Sequence, residues 1–249
     1  LLLWGLSTGS RFRLSRRETL TLGTSAILLW VGGNGAVAWA EQTVDSGYAA
    51  LLVGAMPIWV AIMESIVDRQ PPSLRQVGAL LVGLLGVAVL NGPGIMEGSI
   101  GSLVGALALI FAGISWGAGS ILQRRRPVSV RPEISSGYQQ AFGAAGLAVV
   151  ALLMSEPKPT PTPEAWTAWG YLVVFGSVFA FTSFVKALRL LPTNIVMTYA
   201  YVNPVIAVFL GWMILGEQVT LWTLGGTILV VMGVMGVFHE KRREKTRTG

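Results

Sequence analysis

The sequence predicts an all-α polytopic membrane protein, and three observations carry that prediction: a shortage of charge, eight apolar stretches of spanning length, and basic residues confined to alternate connectors. Of 249 residues, 53% are hydrophobic and only 12% charged, with a mean hydropathy of +0.63. A soluble domain carries about 25% charged residues, so the supply here is too small for a surface facing water. A net charge of +6 and a pI near 10.1 would suit a nucleic-acid binder only if the cations formed a face on a soluble fold. They sit instead at the ends of apolar segments, so no nucleic-acid partner is expected. The chain has no cysteine, which removes disulfide frameworks and thiolate metal sites, and nothing in it calls for a cofactor or metal.

Crossing a hydrocarbon layer of about 30 Å takes about 20 mainly apolar residues. Eight segments satisfy this: 20–40, 46–67, 74–91, 100–122, 134–154, 165–188, 192–215 and 219–238. Residues 1–9 (LLLWGLSTG) are too short to span, and they lack the basic region of a signal peptide. They read as the tail of a helix that begins upstream, which makes the chain a fragment: eight full spans plus a stub.

Alternate connectors carry Arg11, Arg13, Arg16 and Arg17; Arg69 and Arg75; Arg124, Arg125, Arg126 and Arg131; Lys186 and Arg189; and a tail, 239–249, with Lys241, Arg242, Arg243, Lys245 and Arg247. That is 17 of the 18 basic residues on one side, with Lys158 alone on the other. Cytoplasmic loops are enriched in Lys and Arg, so the C-terminus is expected in the cytoplasm. The same alternation checks the span count, because one span too many or too few would scramble it downstream.

Comparing the chain with itself gives a gapless match at an offset of 147 residues: Ala40 falls on Ala187, Ser46 on Thr193, Pro57 on Pro204, Ser73 on Thr220, Gly78 on Gly225, Gly86 on Gly233 and Val87 on Val234. Five membrane steps, an odd number, separate the two prolines. The repeats must therefore enter the membrane from opposite sides, the architecture of many secondary transporters.

The residues that carry this pattern also carry a resemblance. Asn34-Gly35, Ala38-Trp39-Ala40-Glu41, Ser46-Gly47-Tyr48-Ala49-Ala50-Leu51-Leu52 and Pro57-Ile58-Trp59 resemble the first EamA domain of the drug/metabolite transporter superfamily. Asn203-Pro204-Val205-Ile206-Ala207, Gly211-Trp212, Gly216-Glu217 and Gly225-Gly226 through Gly233-Val234 echo the second. The resemblance spans about 11–239 and implies an inverted repeat of two five-helix EamA bundles. The first repeat is then 1–92, without its first helix and most of its second, and the second is 100–238. It also implies a bacterial inner-membrane protein that exports amino acids, metabolites or drugs.

Several residues are candidates for that work. Pro57 and Pro204 deprive Val53 and Ala200 of their helical hydrogen bonds and bend the chain, which makes them hinge candidates. Asn34 lies among Gly32, Gly33 and Gly35, and on α-helical spacing shares a face with Trp30 and Glu41; an amide facing lipid would go unsatisfied. Glu41 and Glu64 are candidates for binding a proton or a cationic substrate, whereas Lys186 is expected to reach the headgroups. Trp39, Trp116 with Ser120, Thr182, Tyr199 with Asn203, and Tyr201 complete the candidate lining of a substrate cavity. Trp4, Trp166, Trp169 and Trp222 lie at span ends and fit an interfacial belt.

Gly113-Ile114-Ser115-Trp116-Gly117 matches the G-x-S-x-G of serine hydrolases, but that elbow needs a strand-to-helix turn with His and acid partners. Here it falls inside a span, where Gly113 and Gly117, like Gly101 and Gly105, suit close helix packing. No enzyme is expected. The reading is a secondary transporter, by resemblance an exporter, of small organic solutes working by alternating access; the alternative is a non-transporting membrane scaffold or receptor. Substrate, coupling proton or ion and homo-oligomeric state stay open at this level.

Overall fold

A computed structural model describes residues 12–44, 46–92, 103–157, 159–216 and 218–248, with Leu1 and Met96. The expectations placed on residues 2–9, Arg11, Gly101, Lys158 and Glu217 lie outside these. Among the described residues every element is a helix: α1 (Arg16–Ala40), α2 (Ser46–Gly54), α3 (Met56–Asp68), α4 (Leu74–Leu90), α5 (Leu103–Arg125), α6 (Pro132–Leu153), α7 (Pro163–Leu190), α8 (Thr193–Val196), α9 (Tyr199–Leu210) and α10 (Leu221–Thr248).

The helix starts are those the local chemistry favours. Ser15 and Glu18 form a reciprocal capping box on α1, Ser73 accepts from the Gln76 N–H at the start of α4, and Thr162 does the same for Ala165 on α7. Pro132 and Pro163 occupy first-turn positions, where a missing N–H costs no bond. Among the described residues, six helical segments are long and apolar enough to cross a membrane: Arg16–Ala40, Tyr48–Asp68, Leu103–Arg125, Pro163–Leu190, Thr193–Ile214 and Leu221–Glu240. Leu74–Leu90 is shorter, and the 22 residues of α6 begin with a polar run, Ser135-Ser136-Gly137-Tyr138-Gln139-Gln140.

Three differences from the expected spans have physical causes. The stretch 46–67 is broken at Ala55, because Pro57 cannot bond back to Val53; the chain turns with i−3 bonds from Ala55 N–H to Leu52 O and from Ile58 N–H to Ala55 O. The stretch 192–215 is broken at Met197-Thr198, where Thr198 and Ala200 also bond to carbonyls three residues back. Finally, Ile27–Gly35, Leu172–Phe181 and Gly211–Leu215 are wound as π-helix, with i→i+5 bonding. The first contains the glycine-rich Gly32-Gly33-Asn34-Gly35, where helix propensity is weakest.

The chain divides into two compact units, one of Leu1–Gly32 with Gly119–Pro192, the other of Gly33–Ala118 with Thr193–Gly249. Each draws on both halves of the sequence. In the first unit α1 runs parallel to α6: Ser25 meets Gln139, Trp30 lies on Gly143, and Ile27 and Val31 flank Gly146. α7 runs antiparallel to α6, with Thr182 beside Ser136 and Ser177 beside Gln140. One end is tied by loop contacts: Ser129 donates its N–H (2.7 Å) and hydroxyl (2.6 Å) to Glu18, and Arg189 donates to Val130 O at 2.7 Å.

In the second unit α4 and α10 lie against each other over a core of Leu80, Val87, Tyr201, Val230 and Val237. Their approach is backbone to backbone. A Cβ on Gly86 would lie 2.5 Å from Val230 N and 2.9 Å from Gly226 O; one on Gly233 would lie 2.5 Å from Gly83 N and 2.9 Å from Ala79 O. Because partners descend along α10 as positions rise along α4, the two helices are antiparallel. The Tyr201 hydroxyl donates to Leu80 O at 2.9 Å. α5 meets α3 through Gly113 and Gly117, which face Trp59, Val60 and Met63, so the G-x-S-x-G segment is a helix-packing face.

Candidate functional site

The polar start of α6 places serine and glutamine one helical turn apart in two adjacent lines, Ser135/Gln139 and Ser136/Gln140. Ser135, Ser136 and Gln139 are fully buried. At a rise of 1.5 Å per residue, Gln139 lies about 10 Å and Gly143 about 16 Å along the helix from Pro132, so the lines reach toward the middle of a layer of about 30 Å.

The second line is closed. Gln140 donates from Nε2 to Ser136 Oγ (2.9 Å) and to Ser177 O in the π-wound part of α7 (3.1 Å), and Thr182 donates to Ser136 Oγ at 3.1 Å. The first line is half closed. Ser25 donates to Leu22 O at 3.1 Å, so its oxygen can only accept from Gln139 Nε2, at 2.8 Å. This orients the amide and leaves Gln139 Oε1 without a partner; Ser135 Oγ and Trp30 Nε1 are also buried and unpartnered. The Trp30 ring is held by Gly143, whose added Cβ would come within 2.5 Å of it, and by Phe181 at a ring separation of 4.9 Å. A buried polar group without a partner costs about 1–3 kcal/mol; in the same unit the Gln123 amide, Glu133 Oε2 and Arg189 Nη2 are also buried without a hydrogen bond.

The residues expected from sequence are distributed differently. Thr182 belongs to the closed line of the first unit, and Ser120 is fully buried in that same unit. Asn34, Trp39, Glu41, Trp116, Tyr199 and Asn203 belong to the second unit. Asn34, Trp39, Glu41 and Asn203 are exposed, Trp116 and Tyr199 half-buried. Trp30 and Asn34 do not share a setting: Trp30 is packed on Gly143 while Asn34 is exposed. Tyr201 is a core residue bonded to Leu80 O rather than a lining residue. Tyr199 directs its hydroxyl toward Met56 Sδ at 3.9 Å. Pro57 is buried at the start of α3, whereas Pro204 lies inside α9, so the two hinge candidates have unlike backbones. Ser25, Ser135, Ser136, Gln139 and Gln140 were missed from sequence. The available signal was their i, i+4 spacing inside a stretch that must cross lipid.

The comparisons with known proteins agree with this setting. The chain is 31% identical to an Escherichia coli (strain K12) protein named an uncharacterized inner membrane transporter, YedA, over 89% of this chain and 73% of that one. It is 25% identical to the uncharacterized transporter YoaV of Bacillus subtilis (strain 168), over 88% of this chain and 76% of that one. An S-adenosylmethionine/S-adenosylhomocysteine transporter of Chlamydia muridarum is 26% identical over 98% of this chain and 80% of its own length. These relatives are named as transporters, not enzymes. A protein of known crystal structure shares the fold, with a TM-score of 0.76 at 19% identity over 95% of this chain and 82% of that one. The model of the EamA-like transporter family matches residues 1–92 and 103–239, and with this coverage, an all-helical fold and helices of spanning length, the chain is a multi-pass membrane transporter belonging to the EamA-like transporter family.

Proposed function

We propose that this protein is a secondary transporter, and specifically an exporter, that moves small organic solutes across the bacterial inner membrane by alternating access of two inverted repeats, with its C-terminus in the cytoplasm. One observation carries the reading. The offset of 147 takes Gly86 to Gly233, Gly83 to Val230 and Ala79 to Gly226, so the contacts of Gly86 with Val230 and Gly226 and those of Gly233 with Gly83 and Ala79 are the same pair of contacts met twice, at matching distances. A self-complementary contact of this kind is consistent with a local two-fold axis, and antiparallel α4 and α10 support an inverted repeat. The same offset takes the π-wound Ile27–Gly35 onto 174–182, overlapping the π-wound Leu172–Phe181.

The inner membrane is supported by the naming of YedA as an inner membrane transporter, and export by the sequence resemblance to drug/metabolite exporters alone. The cytoplasmic placement of the C-terminus is supported by the asymmetry of basic residues. Asn34, Trp39, Glu41, Trp116, Ser120, Thr182, Tyr199 and Asn203 are proposed to face the solute during the cycle, with Pro57 and Pro204 as hinges. The chemistry to be supplied is desolvation and recognition, driven by a gradient of solute, proton or ion. The test is counterflow in liposomes reconstituted with the protein, across a panel of amino acids, metabolites and drugs. Saturable exchange of at least one solute is expected, and silence across the panel with correctly inserted protein overturns the proposal.

A further inference from the structure

Pro192 shapes one end of the first unit. It drives the residue before it into extended backbone, so Leu191 leaves α7 at φ −122° and ψ 154° and its carbonyl stands outside the helical ladder. Arg124, in the last turn of α5, donates from Nε to that carbonyl at 3.1 Å. The bond fixes the plane of an exposed guanidinium and leaves Nη1 and Nη2 uncommitted among the described residues. On the far side of the same bond Leu190 and Leu191 are 69% and 41% exposed.

More positive charge is gathered at this end. Arg125 and Arg126 follow Arg124, both exposed. The loop after them receives the start of α1, through Glu18 and Ser129, and the end of α7, through Arg189 and Val130 O, which adds Arg13, Arg16, Arg17 and Arg131. Among the described residues the carboxylates of the unit at this end are Glu18 and Glu133, because Glu156 and Glu164 lie at the opposite ends of α6 and α7. Glu18 is taken up by Ser15 and Ser129, and Glu133 faces Arg131 at 3.4 Å. Neither is spent on Arg124.

The chemistry of the partner follows from this pairing. Two Nη groups held in one plane match two oxygens of a phosphate. The end of a spanning helix lies where headgroups meet the hydrocarbon layer, and exposed leucines beside the guanidinium give an acyl chain a surface to cover. A free phosphate would use the guanidinium and gain nothing from the leucines. A zwitterionic headgroup would bring a cation of its own into a basic surrounding.

We propose that Arg124, with Leu190 and Leu191, is a binding site for one anionic phospholipid. Its phosphodiester oxygens accept from Nη1 and Nη2, and an acyl chain lies on the two leucines. The site requires insertion in a membrane and does not depend on the transport reading.

The probes are phosphatidylglycerol, phosphatidylcholine with the same acyl chains, and sn-glycerol 3-phosphate. Binding of each to the full chain is counted by native mass spectrometry from neutral detergent micelles, where no charged surface adds its own attraction. The variants are Arg124→Gln, Arg124→Lys and Leu190→Asn, with Arg75→Gln as the charge-matched control at an exposed position of the other unit. Thermal unfolding establishes that each is folded. Leu190→Asn alters an exposed side chain and breaks no hydrogen bond of the protein, so it carries the test if the Arg124 variants do not fold.

Phosphatidylglycerol is expected to bind at one saturable site in preference to both other probes. Arg124→Gln and Leu190→Asn should each weaken it by about fivefold, the worth of one surface cation or of half-burying one leucine. Arg124→Lys keeps the charge but not the fork and should recover only part of the loss, and Arg75→Gln should change nothing. Four results overturn the site: glycerol 3-phosphate binding as tightly as phosphatidylglycerol, which would make it a free-phosphate site; phosphatidylcholine binding as tightly; Arg75→Gln weakening phosphatidylglycerol as much as Arg124→Gln, which would make the attraction diffuse; or affinity unchanged in whichever of Arg124→Gln and Leu190→Asn fold.

Discussion

Replacing glycine by alanine at two repeat-matched pairs of positions separates close packing from mere helix propensity. At Gly78 an added Cβ meets nothing within 4 Å, and at Gly225 it meets only Val89 Cγ1 at 3.9 Å. At Gly86 and Gly233 it lies 2.5 Å from a backbone nitrogen, with a carbonyl oxygen at 2.9 Å. Ordinary contacts lie at about 3.5–4.0 Å, so α4 and α10 must part by about 1 Å, and backbone cannot swing aside as a side chain does. Overpacking costs about 1–3 kcal/mol, set against a gain of about 1 kcal/mol in helix propensity. Gly78→Ala and Gly225→Ala should therefore be neutral or stabilising by up to about 1 kcal/mol. Gly86→Ala and Gly233→Ala should destabilise by up to about 2 kcal/mol, near the upper end of the overpacking range because backbone is struck. The two should match each other, since their contacts are related by the repeat, and the double variant should cost less than their sum, because one separation of the helices serves both. Reversible unfolding in mixed micelles, followed by circular dichroism, reads these differences. If Gly86→Ala and Gly78→Ala unfold within about 0.5 kcal/mol of each other, a span within which surface changes ordinarily fall, the close approach of α4 and α10 is refuted.

Tyr201→Phe deletes the hydroxyl bonded to Leu80 O and should cost about 0.5–1.5 kcal/mol in the same assay; no loss would show that the buried ring alone holds α4. Pro204→Ala allows Ala200 O to regain its helical bond inside α9, stiffening the hinge; counterflow should slow by about two- to tenfold, the rate equivalent of one hydrogen bond, with solute affinity unchanged. An equal loss of affinity would remove the hinge role. Pro57→Ala supplies an N–H able to bond back to Val53 O and should slow transport in the same way, because the missing N–H is what breaks the chain at Ala55. Single cysteines at Lys158 and Arg125 test the orientation with an impermeant maleimide: Lys158→Cys should label in intact cells and Arg125→Cys only after lysis, and the opposite pattern would invert the topology.

What the sequence determined by itself was the class of molecule and its elements. Charge scarcity, apolar stretches of spanning length and an offset of 147 between matched prolines and glycines are one-dimensional signals, because the bilayer sets a length and forbids exposed polar backbone. Helix starts were equally local, as the Ser15–Glu18 box shows. The tertiary structure decided where these elements depart from regular α-winding and which polar side chains remain unpartnered. The unbroken apolar run 46–67 gave no sign that the turn would come at Ala55 rather than at Pro57 itself, and nothing in the run 27–35 announced that it would be wound as π-helix. Ser135 and Ser136 are neighbours of identical chemistry; Ser136 alone meets Thr182 of α7 and Gln140, whereas Ser135 has no hydrogen-bond partner among the described residues. Hydrogen-bond satisfaction belongs to pairs of helices distant in the chain, and no single stretch of residues encodes it.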